Sequence, residues 1–208
     1  MSDFDPRLVL LSEALSAYAS DADDPPHPEW EERIHAAVAL VVRAAEELDV
    51  LLIKRAQRES DPWSGHMALP GGRRDRADTT LVDTAVRETA EETGLALERG
   101  MRLGRLEEVS PQSRRLPDLT IFPFVFGVPS GAAARVASGE VEAVHWVPLE
   151  TLRDPATRCT QEIEIGGEVR RFPCLRVAGD VVWGLTYRIL LDFFRVWPEE
   201  KLRELRPG

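Results

Sequence analysis

The apolar positions of the chain change period several times before residue 100, and each change predicts an element. From Asp5 to Tyr18, Leu8, Leu11, Leu15 and Tyr18 recur at three- and four-residue intervals, which predicts a helix with one covered face. The polar, proline-bearing stretch "SDADDPPHPEW" follows it as a linker. "AAVALVV" (Ala36 to Val42) and "DVLLIKR" (Asp49 to Arg55) are β-rich runs that predict paired strands of a mixed sheet, joined by a turn containing Ala44 to Leu48. "DPWSGHMALPGGRRDRADTT" has no apolar period and reads as a loop. It leads into a helix from about Thr80 to Thr93. At about 100° per residue, Leu81, Val82, Ala85, Val86 and Thr89 share the buried side of that helix.

Its ends carry their own signals. Thr80 and Asp83 have the spacing of a capping box, and Gly94 suits a left-handed stop. Further strands are predicted around Arg102 to Val109, Leu119 to Val128 and Val141 to Val147. They precede a short helix or turn in "PLETLRDPATR", a hairpin turning at Gly166-Gly167, and a closing helix from Val182 to Trp197. The polar segment "EEVSPQSRRLPDL" is long for a simple connection. The class is α+β, a mixed sheet between helices. Residues 1–30 are expected to form an added N-terminal helix and linker, and residues 31–208 the main domain.

Composition narrows the function. With 208 residues, 43% hydrophobic and 30% charged, the chain has the content of an ordinary globular protein with one substantial core. A formal net charge of -10 argues against a broad nucleic-acid surface, which needs a basic face. Cys159 and Cys174 have no metal-ligand spacing and cannot build a disulfide-rich scaffold, so a reducing compartment is expected. The acidic, polar start has neither a signal-like pattern nor a membrane-spanning one. The expected location is cytoplasmic, without a membrane partner.

One charge pattern conflicts with helix physics. Glu88, Glu91 and Glu92 crowd the final turns of the predicted helix, where like charges at i, i+3 and i+4 repel by a few tenths of a kcal/mol per pair. They also oppose the negative end of the macrodipole, a penalty on the order of 0.3–1 kcal/mol each. A solvated acidic face is the plain alternative. The preceding "LPGGRRDRAD" favours a site instead: Gly71-Gly72 lets backbone approach a ligand closely, while Arg73, Arg74 and Arg76 can gather phosphate. Carboxylates for a divalent cation beside arginines for phosphate suit a metal-bound diphosphate.

These residues resemble the Nudix hydrolases. The second half of that family's box, Arg-Glu-apolar-x-Glu-Glu-x-Gly-apolar, is matched by Arg87, Glu88, Glu91, Glu92, Gly94 and Leu95, with Thr89 at the apolar position. In the first half, counting from Gly72, Asp78 stands where the family has its first Glu, on a stretch one residue longer. That loop resembles the coenzyme A diphosphatase branch, as do "LLIKRA", "SGHMALPGG" and the late "FPCLRVAGDVVWGLTYRIL", although Ile53, Ala56 and Leu69 replace the branch's Thr, Ser and Phe. The resemblance covers most of Ala36 to Phe194. It implies a Nudix-type α/β/α sandwich, with Mg²⁺ or Mn²⁺ as cofactor. It further implies Glu88 and Glu92 as principal metal ligands, Glu91 as an added ligand or organiser of water, Gly72 as a backbone ligand, and Arg87 as the group that orients the carboxylates.

The implied reaction is hydrolysis of a nucleoside diphosphate linked to another moiety, with coenzyme A or its thioesters as the leading substrate. The products would be a 4′-phosphopantetheine compound and adenosine 3′,5′-bisphosphate. ADP-ribose or a dinucleotide is an alternative substrate, and a non-catalytic nucleotide sensor an alternative class. Family members are often dimers, which admits a homodimer. Glu140 and Glu142 are weighed as general bases against being exposed strand residues. Arg114, Arg115, His66 and Trp63 are further substrate contacts weighed against structural roles, and Trp183 and Tyr187 read as core or dimer-contact residues. No Ser or Cys is paired with a His in a nucleophilic arrangement.

Overall fold

The strand β1 (Ile34–Ala44) is buried on both faces, and the fold is built around it. Ala36, Leu40, Val42 and Ala44 point to one hydrophobic cluster, while Ala37, Ala39 and Val41 point to the other. That double burial is why the run reads as continuously apolar. β1 pairs antiparallel with β2 (Leu48–Arg55) and parallel with β6 (Leu119–Pro129). The short β3 (Met67–Ala68) pairs with β2, β4 (Gly71–Arg73) with β1, β5 (Arg102–Arg105) with β6, and β7 (Val141–Pro148) with β2, completing a seven-stranded mixed sheet. This computed structural model describes residues 5–18, 34–57, 65–98, 101–111, 118–165 and 168–204.

Helices cover both faces, which makes the α/β/α sandwich expected from the sequence. On one side α2 (Leu81–Thr93) sets Leu81, Val82 and Ala85 against the β1 and β6 side chains. On the other, α1 (Pro6–Tyr18) buries Leu8, Leu11 and Leu15 in the larger cluster, beside Ile189, Leu190 and Phe193 of α4 (Gly184–Val196). The N-terminal helix is therefore part of the main core. Arg7 fastens its start by donating to the carbonyls of Ala45 (2.7 Å) and Glu46 (3.0 Å). The short helices α3 (Leu149–Arg153) and α5 (Glu199–Glu204) meet through an Arg153–Glu199 ion pair.

The chain after α3 departs from the simplest sequence expectation. The predicted hairpin forms as β8 (Arg158–Ile165) and β9 (Glu168–Val177), whose turn residues Gly166 and Gly167 lie outside the described residues. A third strand, β10 (Asp180–Trp183), joins β9, so Val182 and Trp183 are strand residues and the closing helix starts only at Gly184. The predicted strand Arg102 to Val109 is also shorter: pairing stops at Arg105, with an isolated bridge from Val109 to Ile121.

The redox argument from the two cysteines is corrected as well. Cys159 and Cys174 face each other across β8 and β9, their Cα atoms 5.0 Å apart, and are joined as a disulfide. Sequence spacing could not reveal a contact created by strand register. Among the described residues no helix is long and apolar enough to cross a membrane.

Candidate functional site

The helix α2 starts and stops where its sequence says it should. The Thr80 hydroxyl accepts from the Asp83 N–H while the Asp83 carboxylate accepts from the Thr80 N–H, a reciprocal capping box. Gly94 closes the helix in the left-handed region at φ 65°, and its N–H reaches the Ala90 carbonyl. The box's apolar position holds Thr89, which buries its hydroxyl by donating to the Ala85 carbonyl at 2.7 Å. The backbone N–H groups of Arg135 and Ala137 donate to the carbonyls of Thr93 and Glu92. A connection from a distant strand thus satisfies carbonyls that the helix end leaves open.

Arg87 is the hub of the site. Its Nε and Nη2 donate to Asp78 Oδ1 and Oδ2, both at 2.9 Å, its Nη1 to Glu88 (2.9 Å) and Glu91 (3.2 Å), and its Nη2 also to the Arg73 carbonyl (3.2 Å). Asp78, only 7% exposed, further accepts from the Asp75 N–H and the Thr84 hydroxyl. Arg87 beside it, with these added donors, holds the Asp78 carboxyl down at about 2 and so keeps it ionised. The residue standing at the family's first-Glu position anchors the arginine. Sequence spacing alone left this role undefined.

The diglycine strand lies directly against the acidic helix. Glu92 is 4% exposed and accepts the Gly71 N–H at 2.9 Å. A Cβ added to Gly72 would stand 2.5 Å from the Glu88 carboxylate, so glycine at that position makes the approach possible. Burial pushes the Glu92 carboxyl up to about 7 against the lowering effect of the Gly71 hydrogen bond, and the charges of Glu88 and Glu140 push the same way, while Arg55 opposes them. Burial likewise raises Glu88, partly offset by Arg87. Two desolvated carboxylates, one helical turn apart, face a backbone strand that would clash with any larger residue.

The other candidates separate by position. Glu91 is turned outward, its side chain 58% exposed and paired with Arg87. Arg74 closes its own loop by donating to the carbonyls of Asp78 and Thr79, while the neighbouring Arg73 and Arg76 are exposed. Of the two downstream acids, Glu142 pairs with Lys54 at 3.0 Å, whereas Glu140 acts on Glu92 by its charge. Sequence reasoning weighed these two equally and did not single out Arg55. His66 meets Trp183 edge to face, and Tyr187 packs on the main core. Trp63, Arg114 and Arg115 lie outside the described residues.

Among the described residues no three His, Cys, Asp or Glu side chains converge as a metal cluster. Glu88 and Glu92, gathered on β4, nevertheless fit a hard divalent cation. Mg²⁺ usually takes one or two protein carboxylates and fills its remaining positions with water and substrate phosphate.

The chain resembles known proteins in sequence and in fold. A family model described as NUDIX domain matches residues 33–164. A Schizosaccharomyces pombe protein, C14C4.10c, is 41% identical over 120 residues, covering 56% of this chain and 36% of that one. The human mitochondrial coenzyme A diphosphatase NUDT8 is 33% identical over 141 residues, covering 66% of this chain and 58% of that protein. The matches thus span less than two thirds of either relative. A MutT/nudix family protein from Enterococcus faecalis has a similar fold, with a TM-score of 0.55 at 19% identity over 86% of this chain and 66% of that one.

Proposed function

Because the chain belongs to the Nudix family, a family of hydrolases acting on nucleoside diphosphate derivatives, we propose that it is a Mg²⁺- or Mn²⁺-dependent diphosphatase whose substrate is coenzyme A or one of its thioesters. The observation that carries the reading is the seating of Glu88 and Glu92 on Gly71-Gly72, with Arg87 locked to Asp78 behind them. The similarity to a human coenzyme A diphosphatase supports the substrate. Residues 31–208 would carry the activity, with α1 packed into their core.

Glu88 and Glu92 would hold the cation, with the Gly72 backbone and Glu91 as further oxygen donors. When bound, the cation supplies Lewis acidity and neutralises diphosphate charge, so that water can reach phosphorus. Arg87 keeps the Glu88 carboxylate aimed at the diglycine strand through charge-assisted hydrogen bonds. A carboxylate near the cation would accept the water's proton, with Glu140 and Glu142 the two candidates from β7 and the turn before it. Arg73 and Arg76 are exposed beside β4 and can meet the substrate's phosphates, whereas Arg74 is engaged with its own loop.

The test is incubation with Mg²⁺ or Mn²⁺ and a panel of coenzyme A, ADP-ribose, NADH and nucleoside triphosphates, with products resolved by chromatography. Adenosine 3′,5′-bisphosphate formed from coenzyme A at the highest kcat/KM is the expected result. Preference for ADP-ribose or NADH would move the substrate to the alternative class. Binding without turnover on the whole panel would leave a nucleotide sensor.

A further inference from the structure

Two aromatic rings, Phe172 on β9 and Trp183 on β10, are half-buried yet belong to neither hydrophobic cluster of the described residues. Their centroids lie 5.2 Å apart at an interplanar angle of 51°, and His66 meets Trp183 edge to face at 4.8 Å. The rings share one face of the small sheet, because Trp183 is the register partner of Cys174, two residues beyond Phe172. Trp183 lies on the edge strand β10 and Phe172 on the central strand β9, and Trp183 touches His66, on the segment that leads into the diglycine strand.

That segment connects the rings to the carboxylates. The His66 carbonyl accepts the Arg55 N–H at 3.0 Å, so His66 and Arg55 are backbone neighbours. Arg55 in turn is the cation whose charge acts on the buried Glu92. The Ala56 N–H donates to the Glu140 carbonyl at 2.8 Å, which ties the end of β2 to the start of β7. Through the Trp183–His66 contact the aromatic pair meets the chain just ahead of β3 and β4, and β4 carries the Gly71 N–H that Glu92 accepts.

We propose that Trp183 and Phe172, with His66 packed against the tryptophan, form a stacking platform for the nucleobase of the substrate and set preference for base-bearing diphosphates. The proposal rests on the nucleotide-diphosphatase reading and adds the place where the planar end of the ligand lies. Aromatic faces take any base without hydrogen-bond readout, so the platform would favour nucleotides over base-free diphosphates more than one base over another.

Binding measures this separately from hydrolysis. The full chain with Mg²⁺ is titrated calorimetrically with ADP and with inorganic pyrophosphate, for wild type, Phe172→Leu, Trp183→Leu and Trp183→Phe. The expected result is tighter binding of ADP than of pyrophosphate by wild type, and loss of roughly tenfold or more of that advantage in each leucine variant. Pyrophosphate affinity should be unchanged and Trp183→Phe should keep part of the preference. Equal affinity of wild type for the two ligands, no binding of either, or a parallel loss of both in correctly folded Phe172→Leu would overturn it. If ADP preference depends on the rings but the substrate panel is not hydrolysed, the platform stands and the hydrolase reading falls. Turnover on the panel with an ADP preference indifferent to the rings gives the reverse.

Discussion

The guanidinium of Arg87 and the carboxylate of Asp78 meet as a two-pronged pair, Nε to Oδ1 and Nη2 to Oδ2, each at 2.9 Å. The pair leaves Arg87 Nη1 to hold Glu88, so one buried acid on a loop sets the aim of another on the helix. Lysine carries the same charge without the fork. Arg87→Lys is expected to reduce kcat about 10- to 100-fold, as the loss of an orienting partner behind a metal ligand does, with the fold intact by circular dichroism. Wild-type turnover in that variant would show that Glu88 needs no such support.

The same pair predicts an acid limit. Asp78 titrates at about 2 in the folded chain, below its ordinary value of 3.8, chiefly through its hydrogen bonds to Arg87. Between those values the unfolded state binds the extra proton, so stability rises with pH there. The contribution, on the order of 2 kcal/mol, is complete above the unfolded pKa and is lost as pH falls from about 4 toward 2. Urea unfolding of wild type and Asp78→Asn across that range tests it. The wild-type advantage should shrink as the medium is acidified, and a constant difference would refute the linkage.

Gly71 and Gly72 should fail in different ways when replaced by alanine. At Gly71 the new Cβ would meet the Ala37 carbonyl at 2.3 Å, with φ at +151°, so backbone must move. At Gly72 the atoms nearest the new Cβ are the end of the Glu88 side chain, which can swing aside. Gly71→Ala is expected to destabilise the fold by about 1–3 kcal/mol or more. Gly72→Ala should keep most of its stability and lose metal affinity and turnover as Glu88 is displaced. Thermal unfolding together with Mn²⁺ titration separates the two, and equal stability losses would contradict the distinction.

Much of the site was legible because its signals are local. Thr80, Asp83 and Gly94 announce the ends of α2 within a few residues of where they act, and Glu88, Glu91 and Glu92 show their conflict with the helix by spacing alone. The burial of β1 on both faces likewise matches its continuous apolar run. Contacts made by register or by folding back were hidden. The bonds from Arg87 to Asp78, the disulfide between Cys159 and Cys174, and the charge of Glu140 on Glu92 each join residues whose proximity the sheet or loop creates. Glu91 turns outward because the helix rotation carries it off the face shared by Ala85, Thr89 and Glu92.

The N-terminal helix gives a prediction independent of catalysis. Leu11 is fully buried within the larger cluster, and α1 supplies Leu8 and Leu15 to the same face. Leu11→Ala should therefore cost about 2–5 kcal/mol of global stability, the range for a truncated buried leucine. Chemical denaturation monitored at tryptophan would read it. A loss below about 0.5 kcal/mol would mean that α1 is dispensable to the core, since changes of that size are typical of surface positions.

Glu92 should set stability against activity. Its folded carboxyl titrates at about 7 because it is buried, above the ordinary 4.5. The folded state therefore holds the proton more tightly than the unfolded one, and in metal-free solution the wild type loses stability as pH rises from about 4.5 through 7. Glu92→Gln removes that charge while its amide oxygen can still accept the Gly71 N–H. The variant should match wild type near pH 4.5 and exceed it above pH 7, by on the order of 1–3 kcal/mol. Mg²⁺ should reverse the ranking at pH 8, because a bound cation stabilises the ionised glutamate and finds a weaker ligand in the amide. Turnover should fall to background in the variant at every pH. Thermal unfolding of both proteins in EDTA and in Mg²⁺ decides the matter. Equal metal-induced gains in Tm would remove Glu92 from the cation site.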